Sequence, residues 1–159
     1  MSVYNCAHKK DYRRKIKVFN LCSDLADKDF VVDVKFCKIL LQNNKNYPWI
    51  ILVPRKSNVE RLSSLTMEER LQFMREISLC EEVFNELFRP VKTVVSVREG
   101  KNVQLQAHMV AFADADARWD EHLTDNDENG YDDAAKKRII FEIKRAIMIK
   151  MTDNRFCQH

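Results

Sequence analysis

Short apolar runs separated by polar turns mark the first half of the chain. Phe30 to Leu41 is rich in β-branched and aromatic residues, which suit a half-buried strand. The polar stretch Gln42 to Asn46 has the composition of a turn. It leads to Trp49 to Val53, an apolar run that Pro54 ends because proline cannot donate to a strand ladder. These two strands, joined by a short polar turn, predict an antiparallel hairpin.

A second pair of strand-length runs lies further along the chain. Val91 to Val97 and Val103 to Phe112 are separated by Arg98 to Asn102, a polar connection that contains Gly100. A glycine in a short polar connection is typical of a hairpin loop. The sequence therefore predicts a second hairpin.

Helical periodicity predicts a helix from Asp11 to about Leu25 and a longer, clearer one that starts at Thr66. Thr66 to Glu69 forms a capping box, in which the threonine and Glu69 side chains satisfy backbone donors reciprocally. Pro90 sets the far limit of this helix. Its apolar positions predict one stripe against the sheet, formed by Met67, Leu71, Met74, Ile77, Phe84 and Leu87.

The last predicted helix runs from Asp132 to Met151, with acidic residues at its start, where the helix dipole favours them. The acidic stretch Asp114 to Gly130 before it has no clean period and is predicted to be a loop. The predicted order, helix, hairpin, long helix, hairpin, loop and helix, indicates a single α+β domain over residues 1–159, with an antiparallel sheet. The inward positions of the last helix are Ile139, Ile143, Ala146 and Ile147.

Composition narrows the class of protein. No run approaches the roughly 20 apolar residues that cross a bilayer, and the basic N-terminus lacks the apolar core of a signal peptide. The cysteines are odd in number and widely spread, which indicates free thiols, and we expect a cytoplasmic protein with no membrane partner. Cys6 and His8 have no second ligand pair near them, so no metal and no cofactor is expected.

The net charge of +3 is unevenly distributed, since residues 9–17 and 136–150 are basic and residues 114–133 are acidic. Solvated helix faces and a loop explain this pattern. A polyanion-binding arm would need a single-faced basic surface with interleaved aromatic residues, which the sequence does not demonstrate. A nucleic-acid partner is therefore not expected.

Candidate chemistry lies in the last predicted strand. Because side chains alternate along a strand, Gln104, Gln106 and His108 point to one face, and the apolar residues between them point into a core. Three hydrogen-bonding groups in line could grip a phosphate chain. On this pattern alone, an ordinary solvated sheet face is the commoner explanation.

The stretch from Gln104 to His108 resembles the His-φ-His-φ-His-φ-φ signature (φ apolar) of the histidine-triad superfamily. The similarity is closest to the bacterial, diadenosine polyphosphate hydrolase-like branch, whose motif reads Gln-Leu-His-Val-His-Val. The resemblance covers about Phe19 to Trp119, a core of about 19–119, with the C-terminal helix at about 132–151 beyond it. Other matching segments are Phe36 to Leu41, the Tyr-Pro-Trp block Asn46 to Arg55, the helix start Thr66 to Glu76, and Asp116 with Trp119.

The resemblance implies nucleophilic catalysis by a central histidine, and it also implies that this chain has lost that histidine. In that family the central histidine attacks the α-phosphate of a nucleotide and forms a covalent intermediate, while its neighbours bind phosphate oxygens. By position, Gln104 is first, Gln106 central and His108 third. A neutral amide cannot be that nucleophile, although it still donates and accepts hydrogen bonds. We therefore expect ligand binding with little hydrolase activity.

His108 is the candidate replacement nucleophile. It lies one alternate position along the strand, and misplacement of about 1 Å already costs roughly 100-fold. This sequence also differs from the usual residues of the branch at four other places, which again indicates a changed site. Val94 replaces the usual Asn, and Arg98 to Gly100 replace the usual Leu-Gly-Asn. Phe112 replaces the usual Arg, and Asp120 replaces the usual Pro. The scaffold resembles the family more closely than the site does.

Three functions stay open. The chain could bind a nucleotide or other phosphorylated ligand without turnover, act as a hydrolase or transferase through His108, or serve as a non-catalytic protein-interaction module that uses its basic terminal helices. If a nucleoside pocket persists, Gln42 and Asn43 are the candidate ribose contacts. The resemblance also implies a symmetric homodimer, which is the commonest kind of oligomer.

Overall fold

The computed structural model describes residues 19–115 and 130–153, which form a five-stranded sheet with the two long helices on one face. All strand pairs are antiparallel, and the order across the sheet is β1-β2-β3-β5-β4. The α+β class predicted from the sequence is confirmed. The strands are β1 (Asp29–Asp33), β2 (Cys37–Leu41), β3 (Trp49–Pro54), β4 (Lys92–Gly100) and β5 (Val103–Phe112). The helices are α1 (Ser23–Ala26), α2 (Met67–Phe88) and α3 (Asp133–Thr152), with a 3-10 turn at Leu62–Ser64.

The prediction of one strand from Phe30 to Leu41 is wrong, because this segment folds back on itself as β1 and β2. The Val34 N–H donates to the Cys37 carbonyl oxygen at 2.9 Å and closes a tight turn. The predicted hairpin with Trp49–Pro54 is confirmed, since β2 pairs with β3.

Distant residues hold the β1–β2 turn. The Glu76 carboxylate of α2 accepts the N–H groups of Phe36 at 2.7 Å and Cys37 at 2.8 Å. The Arg55 guanidinium donates to the Val34 carbonyl oxygen at 2.6 Å. Because these partners come from beyond the run itself, local composition could not reveal the turn.

The second hairpin is confirmed, with a tighter connection than predicted. β4 continues to Gly100, and only Lys101 and Asn102 link it to β5. Asn102 has a φ of 62°, in the left-handed region that asparagine tolerates better than most residues.

The main core lies between the sheet and the helices α2 and α3. Leu105, Ala107, Met109 and Ala111 of β5 are buried in it, as the alternation predicts. Val103 does not follow the prediction and is 36% exposed, because it lies at the strand's first residue, beside the hairpin connection.

The capping box of α2 is confirmed, with Thr66 and Glu69 bonded reciprocally. The predicted stripe is right for Ile77 and Phe84 and wrong for four residues, which are exposed: Met67, Leu71, Met74 and Leu87. The face that meets the core carries Glu76 in its middle, and a charged residue there hides the true face from a search for apolar periodicity. The buried residues of α2 are Phe73, Glu76, Ile77, Leu79, Cys80, Val83 and Phe84.

α3 begins after the N-cap Asp132, whose Oδ1 accepts the Ala135 N–H at 2.8 Å. Its buried residues Ile139, Ile143 and Ile147 are those predicted, and the fourth, Ala146, is half-buried against the core.

The predicted N-terminal helix is only partly testable, because residues 1–18 lie outside the described part. Within it, residues 19–22 form no helix, and α1 spans only Ser23–Ala26. Most of the predicted acidic loop, with Asp116, Trp119 and Asp120, also lies outside the described residues.

Candidate functional site

Gln104, Gln106 and His108, here called the polar row, lie on β5 on the sheet face turned away from α2 and α3. Across the neighbouring strands, His108 pairs with Ile51 of β3 and Ser96 of β4. The row shares its face with a second apolar cluster, whose buried members are Leu25, Leu40, Trp49, Ile51, Val53, Val110 and Phe112. We call this side of the sheet the row face, and the other side the helix face.

A chain of hydrogen bonds runs from Trp49 along the polar row. The Trp49 Nε1–H donates to His108 Nδ1 at 3.0 Å. His108 Nε2 lies 2.8 Å from Gln106 Oε1. The Gln106 amide in turn donates from Nε2 to the Gln104 carbonyl oxygen at 3.2 Å.

This chain fixes the tautomer of His108. An indole N–H can only donate, so His108 Nδ1 must be the unprotonated nitrogen. The ring proton therefore sits on Nε2 and points at Gln106 Oε1. As a result the basic lone pair of His108 is engaged by Trp49, and its other nitrogen carries a proton.

His108 and Gln106 are both buried, with 3% and 8% of their surfaces exposed. Burial, together with the positive charges of Arg98 and Lys28, lowers the pKa of His108 to about 3. The imidazole is therefore neutral at physiological pH. The polar row carries no charge there.

Gln104 binds the chain that lies over the row face. Its Oε1 accepts the Cys22 N–H at 2.9 Å, and its Nε2 donates to the Asn20 carbonyl oxygen at 3.2 Å. We call residues 19–22 the N-terminal strap. The strap leads into α1, where Leu25 is only 2% exposed and packs into the second apolar cluster. The strap and α1 thus cover the row face beside the polar row.

A small polar cavity of about 220 Å³ remains next to Gln104. Its walls come from the strap, from the segment after β3 and from the β4–β5 connection. The lining residues are Asn20, Leu21, Cys22, Asn58, Val59, Glu60, Asn102, Val103 and Gln104. Gln104 is the member of the row that meets this space.

The two residues predicted as ribose contacts lie in the β2–β3 turn. Asn43 Oδ1 accepts the Tyr131 N–H at 2.9 Å and so fastens the chain just before α3. The fit is close, because a Cβ on Gly130 would lie 2.6 Å from Asn43 Nδ2. Gln42 is buried, and its backbone N–H donates to the Trp49 carbonyl oxygen at 3.0 Å.

Sequence reasoning missed two components of this site. Trp49 was predicted only as a strand residue, although its indole fixes His108. The strap was predicted as helix, and no sequence signal indicated that Gln104 would hold its backbone. Trp49 could have been found from the Tyr-Pro-Trp block, because a buried indole needs a hydrogen-bond acceptor.

Two further properties of the described residues bear on the site. Within residues 19–115 and 130–153, no three His, Cys, Asp or Glu side chains come together as they would to hold a metal ion. No helix in this part of the chain is long and apolar enough to span a bilayer.

Comparison with known proteins identifies the fold and the family. The HIT domain family model matches residues 24–109. A histidine triad protein from Bradyrhizobium japonicum is similar, with 26% identity, a TM-score of 0.73, and coverage of 82% of this chain and 98% of its own. A histidine triad protein from Marinobacter aquaeolei VT8 is similar, with 25% identity, a TM-score of 0.73, and coverage of 83% and 98%. The comparison with curated proteins gave no match.

The family model covers more than half of the chain, from α1 through most of β5. This chain therefore belongs to the HIT domain family, whose members are generally nucleotide-binding hydrolases or transferases. The recognition of the histidine-triad superfamily from the sequence motifs is confirmed.

Proposed function

We propose that this HIT-domain protein binds a nucleotide or another phosphorylated ligand on the row face without forming a covalent nucleotidyl intermediate. One observation carries the proposal. By the resemblance of the stretch from Gln104 to His108 to the family motif, Gln106 stands at the nucleophile position, and the only histidine of the row has its lone pair engaged by Trp49.

Gln106 cannot perform nucleophilic catalysis. Its amide nitrogen has no basic lone pair, so it cannot attack phosphorus and then leave. The Gln106 side chain is also fixed at both ends, since Oε1 faces His108 Nε2 and Nε2 donates to the Gln104 carbonyl oxygen. Hydrogen bonding to a phosphate is the chemistry that this side chain retains.

The alternative of a hydrolase that uses His108 is disfavoured by the same contacts. Attack through Nδ1 would break the bond from Trp49, and attack through Nε2 would first require loss of its proton. A histidine with a pKa of about 3 is also a weak base at neutral pH. Turnover through His108 would therefore need a different arrangement of Trp49 and Gln106.

For ligand contacts we propose the members of the polar row, reached first at Gln104 because it lines the small cavity. Gln42 and Asn43 stay proposals for the ribose. Asn43 keeps Nδ2 as a donor, since Tyr131 engages only its Oδ1.

A non-catalytic interaction module is the second candidate, and the outer face of α3 favours it. Phe141, Met148 and Ile149 are exposed there, and they line a surface depression together with Lys144 and Arg145. Apolar side chains exposed together on one face are typical of a contact surface.

The homodimer also belongs to the proposal. The edge strand β4 exposes Val95 and Val97, and α2 exposes Met67, Leu71 and Met74. Light scattering after gel filtration would measure the mass, and Leu71→Glu should shift a dimer towards monomer. A cytoplasmic location is supported by the free thiols of Cys22, Cys37 and Cys80.

Hydrolysis of diadenosine tetraphosphate tests the absence of turnover. The protein is incubated with substrate at near-stoichiometric concentration for hours, and the products are separated by chromatography. We expect no nucleotide product above a control without protein. Product would overturn the proposal, and His108→Gln would then show whether that histidine is responsible. With no product, Gln106→His asks whether the rest of a catalytic site is still assembled.

A further inference from the structure

A cavity of about 490 Å³ opens at the β1–β2 turn. Its size falls within the range of small-molecule sites, roughly 300 to 1,000 Å³. Phe19 of the strap forms one wall, and the next three strap residues line the cavity beside Gln104, so the strap lies between the two spaces. We call it the turn cavity, and it is lined by Phe19, Asp33, Lys35, Phe36, Lys38 and Arg55.

The lining of the turn cavity is positively charged. It contains three cations and one carboxylate, that of Asp33. Asp33 is paired with Lys38, with Oδ1 and Nζ 3.0 Å apart. Lys35 and Arg55 remain as two positive charges without a carboxylate partner among the described residues, which is the charge that a phosphate monoester balances.

Arg55 is held in place before any ligand arrives. Its Nη2 donates to the carbonyl oxygens of Val34 at 2.6 Å and Lys35 at 3.0 Å. A guanidinium has five N–H donors in a rigid plane, so donors remain for a second acceptor. A side chain that is already fixed loses little conformational entropy on binding an anion.

The remaining walls suit an apolar, ring-shaped group. Phe19 and Phe36 are both half-buried, so each presents part of its ring to the cavity. Phe19 packs against the second apolar cluster and Phe36 against the main core, so the two rings are anchored on opposite sides of the sheet. Aromatic faces beside cations are a typical setting for the base and phosphate of a nucleotide.

The polar row cannot supply this charge. Gln104 and Gln106 are neutral, and the pKa of His108, lowered by burial, keeps its imidazole neutral at physiological pH. We propose that the turn cavity is the anion-binding site of this chain, with Lys35 and Arg55 binding the phosphate of an organic phosphate and Phe19 and Phe36 contacting its ring. This inference rests on the first part of the proposed function, that the chain binds a phosphorylated ligand without turnover, and it moves the phosphate contacts from the polar row to the turn cavity.

Adenosine monophosphate and inorganic pyrophosphate serve as probes for an NMR titration of the full chain. We expect saturable shifts of the backbone amides of residues 34–36 and 55 with either probe. Lys35→Glu should weaken binding at least about tenfold, because it replaces an attraction to the phosphate by a repulsion. Lys35 is exposed, and the turn uses only its backbone, so the variant should fold.

Lys45→Glu is the matched control, since Lys45 is an exposed lysine in the β2–β3 turn and the net charge changes equally. It should change the affinity less than about twofold, because screened surface charges act weakly at a distance. Equal weakening by both variants would overturn the inference. Shifts confined to residues 104–108, unaffected by Lys35→Glu, would also overturn it but keep the proposed function. If neither probe binds, both the inference and the proposed function are wrong.

Discussion

On the helix face the buried Glu76 carboxylate accepts several hydrogen bonds, whereas on the row face the buried polar side chains form a linear chain of hydrogen bonds. Glu76 accepts from the Phe36 and Cys37 backbone and from Gln72 Nε2 at 2.8 Å. On the row face each side chain donates one hydrogen bond to the next: Trp49 to His108, and His108 to Gln106. Gln106 donates the last one to the backbone carbonyl oxygen of Gln104. The bonds to Glu76 hold the β1–β2 turn in place. The chain on the row face fixes the orientation of the neutral His108 ring.

This difference explains why one face is structural and the other is a candidate site. A charge with several backbone donors is expensive to disturb, because each donor left buried and unpaired costs about 1 to 3 kcal/mol. A neutral series can be rearranged at lower cost, and its members can exchange partners with a ligand. Four changes test the comparison.

Glu76→Ala should have the largest effect. It removes the acceptor of two backbone N–H groups at the β1–β2 turn, one of them on the fully buried Cys37. We expect the free energy of unfolding in urea to fall by about 3 to 4 kcal/mol. Glu68→Ala, at an exposed position of the same helix, should stay within about 0.5 kcal/mol. A loss below 1 kcal/mol at Glu76 would mean that the turn does not depend on α2.

Lowering the pH should destabilise the row face through His108. Its pKa is 6.5 in the unfolded chain and about 3 when folded, so between these values the unfolded state binds more protons. The free energy of unfolding should therefore fall as the pH decreases, by about 2 kcal/mol between pH 7 and pH 5, and this stability is fully lost below about pH 3. Above pH 6.5 the contribution is fully present.

The matched variant is His108→Gln, which lacks the titrating ring. Its free energy of unfolding should fall less between pH 7 and pH 5, by the amount that His108 contributes in the wild type. Ring chemical shifts provide a second readout, and those of His108 should stay constant from pH 7.5 to pH 5. A His108 ring that titrates near pH 6.5 would contradict both its burial and the bond from Trp49.

Trp49→Phe should cost less, about 1 to 2 kcal/mol, because it removes one donor while keeping most of the buried ring. A double-mutant cycle with His108→Gln isolates the bond between Trp49 Nε1 and His108 Nδ1. We expect a coupling energy of about 1 kcal/mol. If the two changes are additive, the indole does not hold the imidazole.

Much of this fold could be predicted from local signals. The capping box at Thr66 and Glu69 and the side-chain alternation along β5 depend on residues a few positions apart, and both are found. The β1–β2 turn depends on Glu76, about 40 residues away, and no property of the run from Phe30 to Leu41 encodes that contact.

Contacts between residues far apart in the sequence limit the prediction of the candidate site even more than that of the fold. The sequence placed the polar row on one face, but whether that face is covered depends on bonds from Gln104 to residues 82 and 84 positions earlier. The role of Trp49 likewise spans 59 positions. Residue types predict which groups are available, and only the fold decides which of them are already engaged.

Gln104→Ala should have the smallest effect on global stability, at most about 1 kcal/mol, because Gln104 is half-buried and water can replace its bonds. The local effect should be larger, since the Cys22 N–H loses its acceptor, and we expect about tenfold faster hydrogen exchange at that amide. Gln104→Glu keeps an oxygen for Cys22 while losing the donor to Asn20, so it should preserve protection at Cys22. If Cys22 exchanges at the wild-type rate in Gln104→Ala, then the apolar packing of Phe19, Leu21 and Leu25 anchors this segment. Gln104 is then available to a ligand without competition from the strap.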